Sequence, residues 1–398
     1  MKRHLTATLL IALLAIITTA TMGSCSGSEP DPIPEPETLD RTILVYMVAD
    51  NNLSYQYRAD TLNIEKMEQA ARDGSLNGGN LVIYYDGPFT SPELKIITRK
   101  ETKTIKAYSE DESSLSINRI KQVLDDVKSL YPASQRGLVL WSHGTGWIDD
   151  TYSRSITSTY SFGQDNNSAS GRATMKITSL AQALDGENFD FIYFDCCLMA
   201  SVEVAYQLRT ATKAIIASGT ELPIEGMPYA DNIPAMFEPD IDLEKIAQNT
   251  ISFYADGKVP NLGCSITVII NEHILALAQA TADIMRTGAT PLSNYVRVPY
   301  FRRNIPSYTW DMADYIRALP VDPQLLDAWE EAFGRTVVYA GATPQSYGLD
   351  MSRHTGLGCF IPSVTTDSQG IRSIRWYNHR DLDWHRDVTS LNPSYHID

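Results

Sequence analysis

The chain is 398 residues long, enough for one large domain or two to three ordinary ones, and its 43% hydrophobic and 20% charged content exclude a long disordered protein. Counts of 23 glycines and 20 prolines exclude collagenous and low-complexity chains as well. The formal net charge of −15 argues against nucleic acid as the main partner and suits a cationic substrate better.

Lys2, Arg3 and His4 precede an apolar stretch from Leu5 to Met22 whose densest part is Leu9 to Ile17. That is the charged start and short apolar core of an export signal. Its Thr-rich second half falls short of the roughly 20 strongly apolar residues that a spanning helix needs. Met22-Gly23-Ser24-Cys25 resembles a bacterial lipobox, with Met22 where Leu is usual. The resemblance implies that Cys25 is diacylated and becomes the new N-terminus; an ordinary cleaved signal and a retained membrane helix are the alternatives. Removal of residues 1–24 takes away two basic residues and no acid, which moves the charge from −15 to −17. Acyl chains, not charge, must then hold the chain at a membrane. Ser26 to Glu37 alternates prolines with four acids, the pattern of a stiff, solvated tether.

Thr42 to Ala49 reads as a strand buried on both faces, closed by Asp50-Asn51-Asn52. Asn52 to Arg72 follows as one helix, and Leu81 to Tyr85 as a second strand ending at Asp86. Glu93 to Thr98 and Thr104 to Ala107 suit a half-exposed hairpin. Ser116 to Leu130 is an amphipathic helix stopped by Pro132, and Gly137 to Trp141 is a third buried strand running into Ser142-His143-Gly144. Residues 148–172 are polar and without period, a long loop of the kind that is usually functional. A short helix (Ile177 to Leu184), a fourth strand (Phe189 to Phe194) ending at Asp195-Cys196-Cys197, a helix from Ser201 and a fifth strand (Lys213 to Ser218) complete an alternating pattern. Beyond Pro239 the expected elements are helices at 243–255, 273–286 and 324–338, a strand at 265–270 and a late strand at 356–362. Such alternation predicts an α/β fold, a mostly parallel sheet with helices on both faces, whose chemistry collects beyond the carboxyl ends of its strands.

Four of those ends carry Asp50, Asp86, His143 and Cys197; the two aspartates can also be read as plain turn caps. Cys197 stands between a strand and a helix start, so helix-end amides are expected to favour its thiolate. Gly144, after His143, is expected to let a ligand approach the backbone. A thiol, an imidazole and open backbone amides are the parts needed for acyl transfer.

The segments TILVYMVADNNLS, LVLWSHGTGW, FDCCLMASVEVAYQL and IIASGTELPIEGMPYAD resemble, in order from about Arg41 to Phe237, the clostripain family of cysteine peptidases. GLGCFIP resembles a further family strand. The resemblance implies a caspase-like (caspase–hemoglobinase) fold over 41–240, after a signal at 1–24 and a tether at 25–40, with 241–398 completing or packing on that core. It implies His143 as general base and acid, Cys197 as nucleophile, and the backbone N–H groups of Gly144 and Cys197 as oxyanion hole. It implies cleavage after Arg, less often Lys, held by Asp195 and a second acid, Glu225 or alternatively Glu221. His143 and Cys197 are 54 residues apart, comparable with the caspase-type separation. Where several family members are cut, this chain offers Arg154 and Arg172, in a stretch that also reads as an ordinary surface loop. Cys196 departs from the family's usual Ala and reads as a small apolar substitute, with a vicinal disulfide as the alternative. Cys264 and Cys359 read as buried thiols, with pairing as the alternative. No zinc or calcium motif is present; calcium is implied by the resemblance alone.

The expectation is an exported, lipid-anchored cysteine endopeptidase of the cell envelope acting on proteins or peptides with Arg or Lys. The competing reading is a catalytically silent surface lipoprotein that binds peptide or glycan.

Overall fold

The computed structural model describes residues 39–148, 161–166, 171–256, 262–300, 307–362 and 379–396. In chain order the first half carries β1 (Leu39–Val48), α1 (Asn52–Tyr57), α2 (Ala59–Arg72), β2 (Asn80–Asp86), β3 (Glu93–Ile97), β4 (Thr102–Ala107), α3 (Ile117–Leu130) and β5 (Ala133–Trp141). Then come β6 (Phe162–Asp165), β7 (Ala173–Met175), α4 (Ile177–Leu184), β8 (Phe191–Asp195), α5 (Val202–Gln207), β9 (Ala214–Ala217), α6 (Tyr229–Met236) and α7 (Leu243–Ala255). The last part holds β10 (Ser265–Ile270), α8 (Ile274–Met285), β11 (Trp310–Asp311), α9 (Met312–Arg317), α10 (Pro323–Thr336) and β12 (Val337–Ala342).

Nine strands form one sheet in the order β12-β10-β9-β8-β5-β1-β2-β3-β4. The five central strands, β9 to β2, are parallel, and antiparallel pairs flank them on both sides. Strand alternation divides the core in two. Leu44, Tyr46 and Val48 face one apolar layer, shared with Val123 of α3, Leu180 of α4, Val204 of α5, Leu277 of α8 and Trp329 of α10. Ile43, Val45 and Met47 face the other, shared with Met67 of α2, Ile233 of α6 and Ile246 of α7. A strand covered on both faces has no polar alternation to show, which is why β1, β5 and β8 read as continuous apolar runs.

Three expectations are corrected. The helix expected over 52–72 breaks at Arg58, which sits at φ 55° in the left-handed region. Asn51 sets the start of the first piece: its Oδ1 takes the Leu53 N–H while its Nδ2 donates to Val48 O and Gln164 O. The end of β1 therefore places α1, whereas α2 follows its own apolar pattern. The helix expected to reach Val338 ends at Thr336, and Val337–Ala342 pairs antiparallel with β10 as a half-exposed edge strand. The late strand expected at 356–362 is cut down to Gly358–Cys359, which pairs with β11, and Gly358 also bridges Ser201. Gly358 N and Phe360 N donate instead to Ala200 O and to the Glu203 carboxylate, so this run braces the turn after Cys197.

Candidate functional site

All five parallel strands point their carboxyl ends at one edge. Trp141 of β5 lies directly opposite Asp195 of β8. His143 and Cys197 each stand two residues further on, on adjacent turns of parallel strands about 4.8 Å apart. The turns are in close contact. A Cβ on Gly144 would stand 2.7 Å from Cys197 O and 2.9 Å from Cys196 Sγ. The missing side chain thus serves the fit between the two turns. Its amide still matters: among the described residues the Gly144 N–H makes no hydrogen bond.

Cys197 is half-buried. Its Sγ accepts from Leu222 N at 3.3 Å and lies 3.6 Å from Leu222 O, which it can reach as a thiol donor. Leu222 belongs to the loop after β9, so the amide at this sulfur does not come from a helix end. Helix α5 begins only at Val202, and its cap is the Ser201 hydroxyl on Val204 N. Between Cys197 and that helix the chain turns through Leu198 at φ 65°, a left-handed conformation that a branched side chain rarely adopts. The turn is held by Leu198 N on Thr220 O and Ala200 N on Ser218 O. Strained turns of this kind concentrate at functional sites.

His143 is half-buried, and burial first, then the positive charge of Arg172, lowers its pKa to about 4. Its Nε2 is 2.8 Å from Asn52 Oδ1. An amide oxygen accepting there keeps the proton on Nε2 and leaves Nδ1 as the basic nitrogen. Asn52 was missed by sequence reading, although the Asp50-Asn51-Asn52 triplet at a buried strand's carboxyl end was the available signal. Arg172 is exposed and close enough to act electrostatically on the imidazole; Arg154 and Cys25 lie outside the described residues.

Asp195 lies beneath the loop after β9. It is 4% exposed, and its carboxylate accepts from Met227 N and from the Tyr229 hydroxyl, both at 2.8 Å. Burial raises its pKa to about 6 against those two hydrogen bonds. Gly226, at φ 65°, passes so close that a Cβ there would meet Asp195 Oδ1 at 2.8 Å. The preceding residue, Glu225, has a buried Oε2 with no hydrogen-bond partner. Asp195 and Glu225 both act on the Tyr254 phenol, whose hydroxyl donates to Gly226 O. Asp195 at the end of β8 and Glu225 in the loop after β9 thus both lie near the Tyr254 hydroxyl.

Cys196 is 3% exposed, and burial, with the thiol of Cys197 next, raises its pKa well above the ordinary value. Cys196, Cys197, Cys264 and Cys359 are all free thiols. Among the described residues no group of three or more His, Cys, Asp or Glu is placed to hold a metal ion. None of the described helices is long and apolar enough to cross a membrane.

Residues 45–318 match the model of the clostripain family, Peptidase C11. An inactive zymogen C11 protease from Parabacteroides distasonis is 28% identical, with a TM-score of 0.74 covering 89% of this chain and 99% of that one. A secreted C11 cysteine protease from Bacteroides thetaiotaomicron, solved with an irreversible peptide inhibitor, is 28% identical, with a TM-score of 0.72 over 87% and 98% of the two chains. Another secreted C11 cysteine protease from Bacteroides thetaiotaomicron shares the fold at 23% identity and TM-score 0.76, covering 88% and 99%. No curated protein matches. The match over more than half of the chain settles the family: this protein is a member of the clostripain family, a cysteine-type peptidase with a caspase-like fold.

Proposed function

We propose that the protein is an exported endopeptidase that cleaves after Arg, and less readily after Lys, with Cys197 as nucleophile and His143 as its acid–base partner. The observation that carries this reading is the register of β5 on β8, which puts the two side chains on touching turns at one sheet edge. With its pKa lowered to about 4, His143 rests neutral at physiological pH. It takes the thiol proton as the sulfur attacks the scissile carbonyl. The Gly144 and Cys197 amides donate to the oxyanion, and the imidazolium returns its proton to the departing amine. A thioester remains on Cys197 until water hydrolyses it.

Specificity for a cationic side chain is supported by Asp195 at the base of the loop and by the unpartnered Oε2 of Glu225. A planar guanidinium can take both oxygens of a carboxylate, which ammonium cannot, and that ranks Arg over Lys. The electrostatic reach of Arg172 to His143 supports self-cleavage there, with Arg154 as the alternative. A secreted relative supports export, and the signal at 1–24 with the Cys25 lipobox supports lipid anchoring in the envelope.

An Arg-coumarylamide and its Lys counterpart test the core of this reading. Turnover of Arg above Lys is expected from the wild-type protein and background alone from Cys197→Ala. Equal signals from both proteins would overturn it. Intact mass after incubation, with the same variant as control, reads out self-cleavage at Arg172 or Arg154. Labelled fatty acid retained by wild type and lost by Cys25→Ser reads out the anchor.

A further inference from the structure

The carboxyl edge of β1 and β2 carries a second acidic site. Asp50, Asp86 and Asp165 are all buried, at 0%, 6% and 2% exposure. Asp86 and Asp165 line a cavity of about 360 Å³ together with Glu110, Glu112, Ser113 and Phe89. No Lys or Arg of the described residues forms an ion pair with Asp50, Asp86, Glu110 or Glu112; the buried Arg119, whose Nη2 donates to Ser109 O and Glu112 O, acts on Asp86 through its charge alone. An independent sign of a missing partner is Asp50, a fully buried carboxylate whose Oδ2 has no hydrogen bond. Its Oδ1 accepts from the Tyr55 hydroxyl. Asp50, Asp86 and Asp165 all act on that hydroxyl, so the three carboxylates face one place, and the Tyr55 ring stands edge-on to Phe89 in the cavity wall. Burial foremost, then the neighbouring Asp165 and Asp50, push Asp86 up to about 7, against a hydrogen bond from Ser114.

The occupant follows from where the cavity lies. Across the carboxyl edge the order is β9, β8, β5, β1, β2. In the proposed mechanism the acyl half of the substrate stays on Cys197, with its basic side chain toward Asp195 and Glu225 on the β8–β9 side. The departing amine takes its proton from His143 on β5, so the half of the peptide after the cut leaves over β5 toward β1 and β2. Strands are about 4.8 Å apart and an extended peptide advances about 3.4 Å per residue, which brings the second or third residue after the cut over Asp50 and Asp86. Asp86, Asp165, Glu110 and Glu112 line the cavity, Asp50 lies near Asp86 but outside the lining, and no three acids of the described residues form a group that could hold a metal ion. Phe89, 86% exposed, offers an apolar face to an alkyl stem.

We propose that this cavity is a leaving-side subsite that binds the Lys or Arg side chain of the second or third substrate residue after the cut. It rests on the cleavage reading above, and makes the enzyme favour clusters of basic residues over isolated ones.

Internally quenched peptides that share Arg at the cut and carry Lys-Lys, Ala-Ala or Glu-Glu as the second and third residues beyond it test the proposal. For wild type, kcat/KM should be about tenfold higher for Lys-Lys than for Glu-Glu, the scale of one charge-assisted hydrogen bond, with Ala-Ala between. In Glu110→Gln/Glu112→Gln, which keeps the Ser91 and Ser116 hydrogen bonds to those side chains, the ratio should collapse toward one. A charge-blind wild type, or a ratio that survives in the double variant, overturns the subsite. The Arg-coumarylamide has no residue beyond the cut and separates the two readings. Wild-type turnover of it beside a charge-blind peptide series sinks the subsite alone, and no turnover sinks both.

Discussion

Asn52 and His143 show how much one hydrogen bond decides. The Asn52 amide oxygen on Nε2 sets which imidazole nitrogen is basic, and so which one would serve the sulfur in the proposed mechanism. Asn52→Ala removes the acceptor that orients the ring through Nε2. Its kcat should fall about 10- to 100-fold with KM nearly unchanged, because misorientation costs the reacting geometry and not the binding. Asn52→Asp keeps the contact and adds a negative charge, which favours the imidazolium and raises its pKa. The wild-type base works while neutral, so its acid limb should lie near the lowered value of about 4. In Asn52→Asp that limb should move to higher pH. A pH profile of kcat/KM for the three proteins checks this, and a residue that merely braced the fold would leave the limb in place.

Elements rather than single residues carry the meeting of the two turns. Gly144 allows the 142–146 turn to lie on the 196–198 turn, and a Cβ there collides with a backbone carbonyl and with Cys196 Sγ. Gly144→Ala should cost about 1–3 kcal/mol by overpacking and should lower turnover by moving its own amide. Adding Cys196→Ala removes the sulfur contact and leaves the carbonyl contact, so the melting temperature should partly recover while turnover does not. Full recovery of both would mean that the sulfur alone set the spacing. At this scale the sequence was most legible where strands are buried on both faces. β1, β5, β8 and β10 stand out as apolar runs, and their ends carry the His and Cys. It was least legible where tertiary contacts override local pattern. The break at Arg58 answers to Asn51, the Leu222 amide reaches Cys197 from 25 residues away, and β12 is an edge strand with too little apolar alternation to announce itself. The Cys-to-helix expectation failed for the same reason: strand and helix are adjacent in sequence, but a left-handed turn lies between them.

Across the whole molecule, burial shifts several interior ionisable groups toward their neutral forms. Burial lowers His143, His354 and His385 to about 4, so stability that depends on their neutral forms is complete above 6.5 and is lost as pH falls toward 4. Glu203 behaves in the opposite sense. It is fully buried under the run that braces the nucleophile turn, accepts from Phe360 N at 2.7 Å, and burial raises its pKa from 4.5 to about 7. The folded chain holds that proton when the unfolded chain has released it. Its contribution is therefore complete below about 4.5 and is lost as pH rises to about 7. Glu203→Gln keeps an acceptor for Phe360 and removes the titration. Measured against wild type, its unfolding free energy should match near pH 4.5, pull ahead between pH 4.5 and 7, and hold a lead of about 1–3 kcal/mol at pH 8. The comparison cancels the histidine slopes, which both proteins share. A lead that shrinks with rising pH would reverse the assignment: Glu203 would then be ionised when folded and paired with His379, whose Nε2 is 3.7 Å from Oε1.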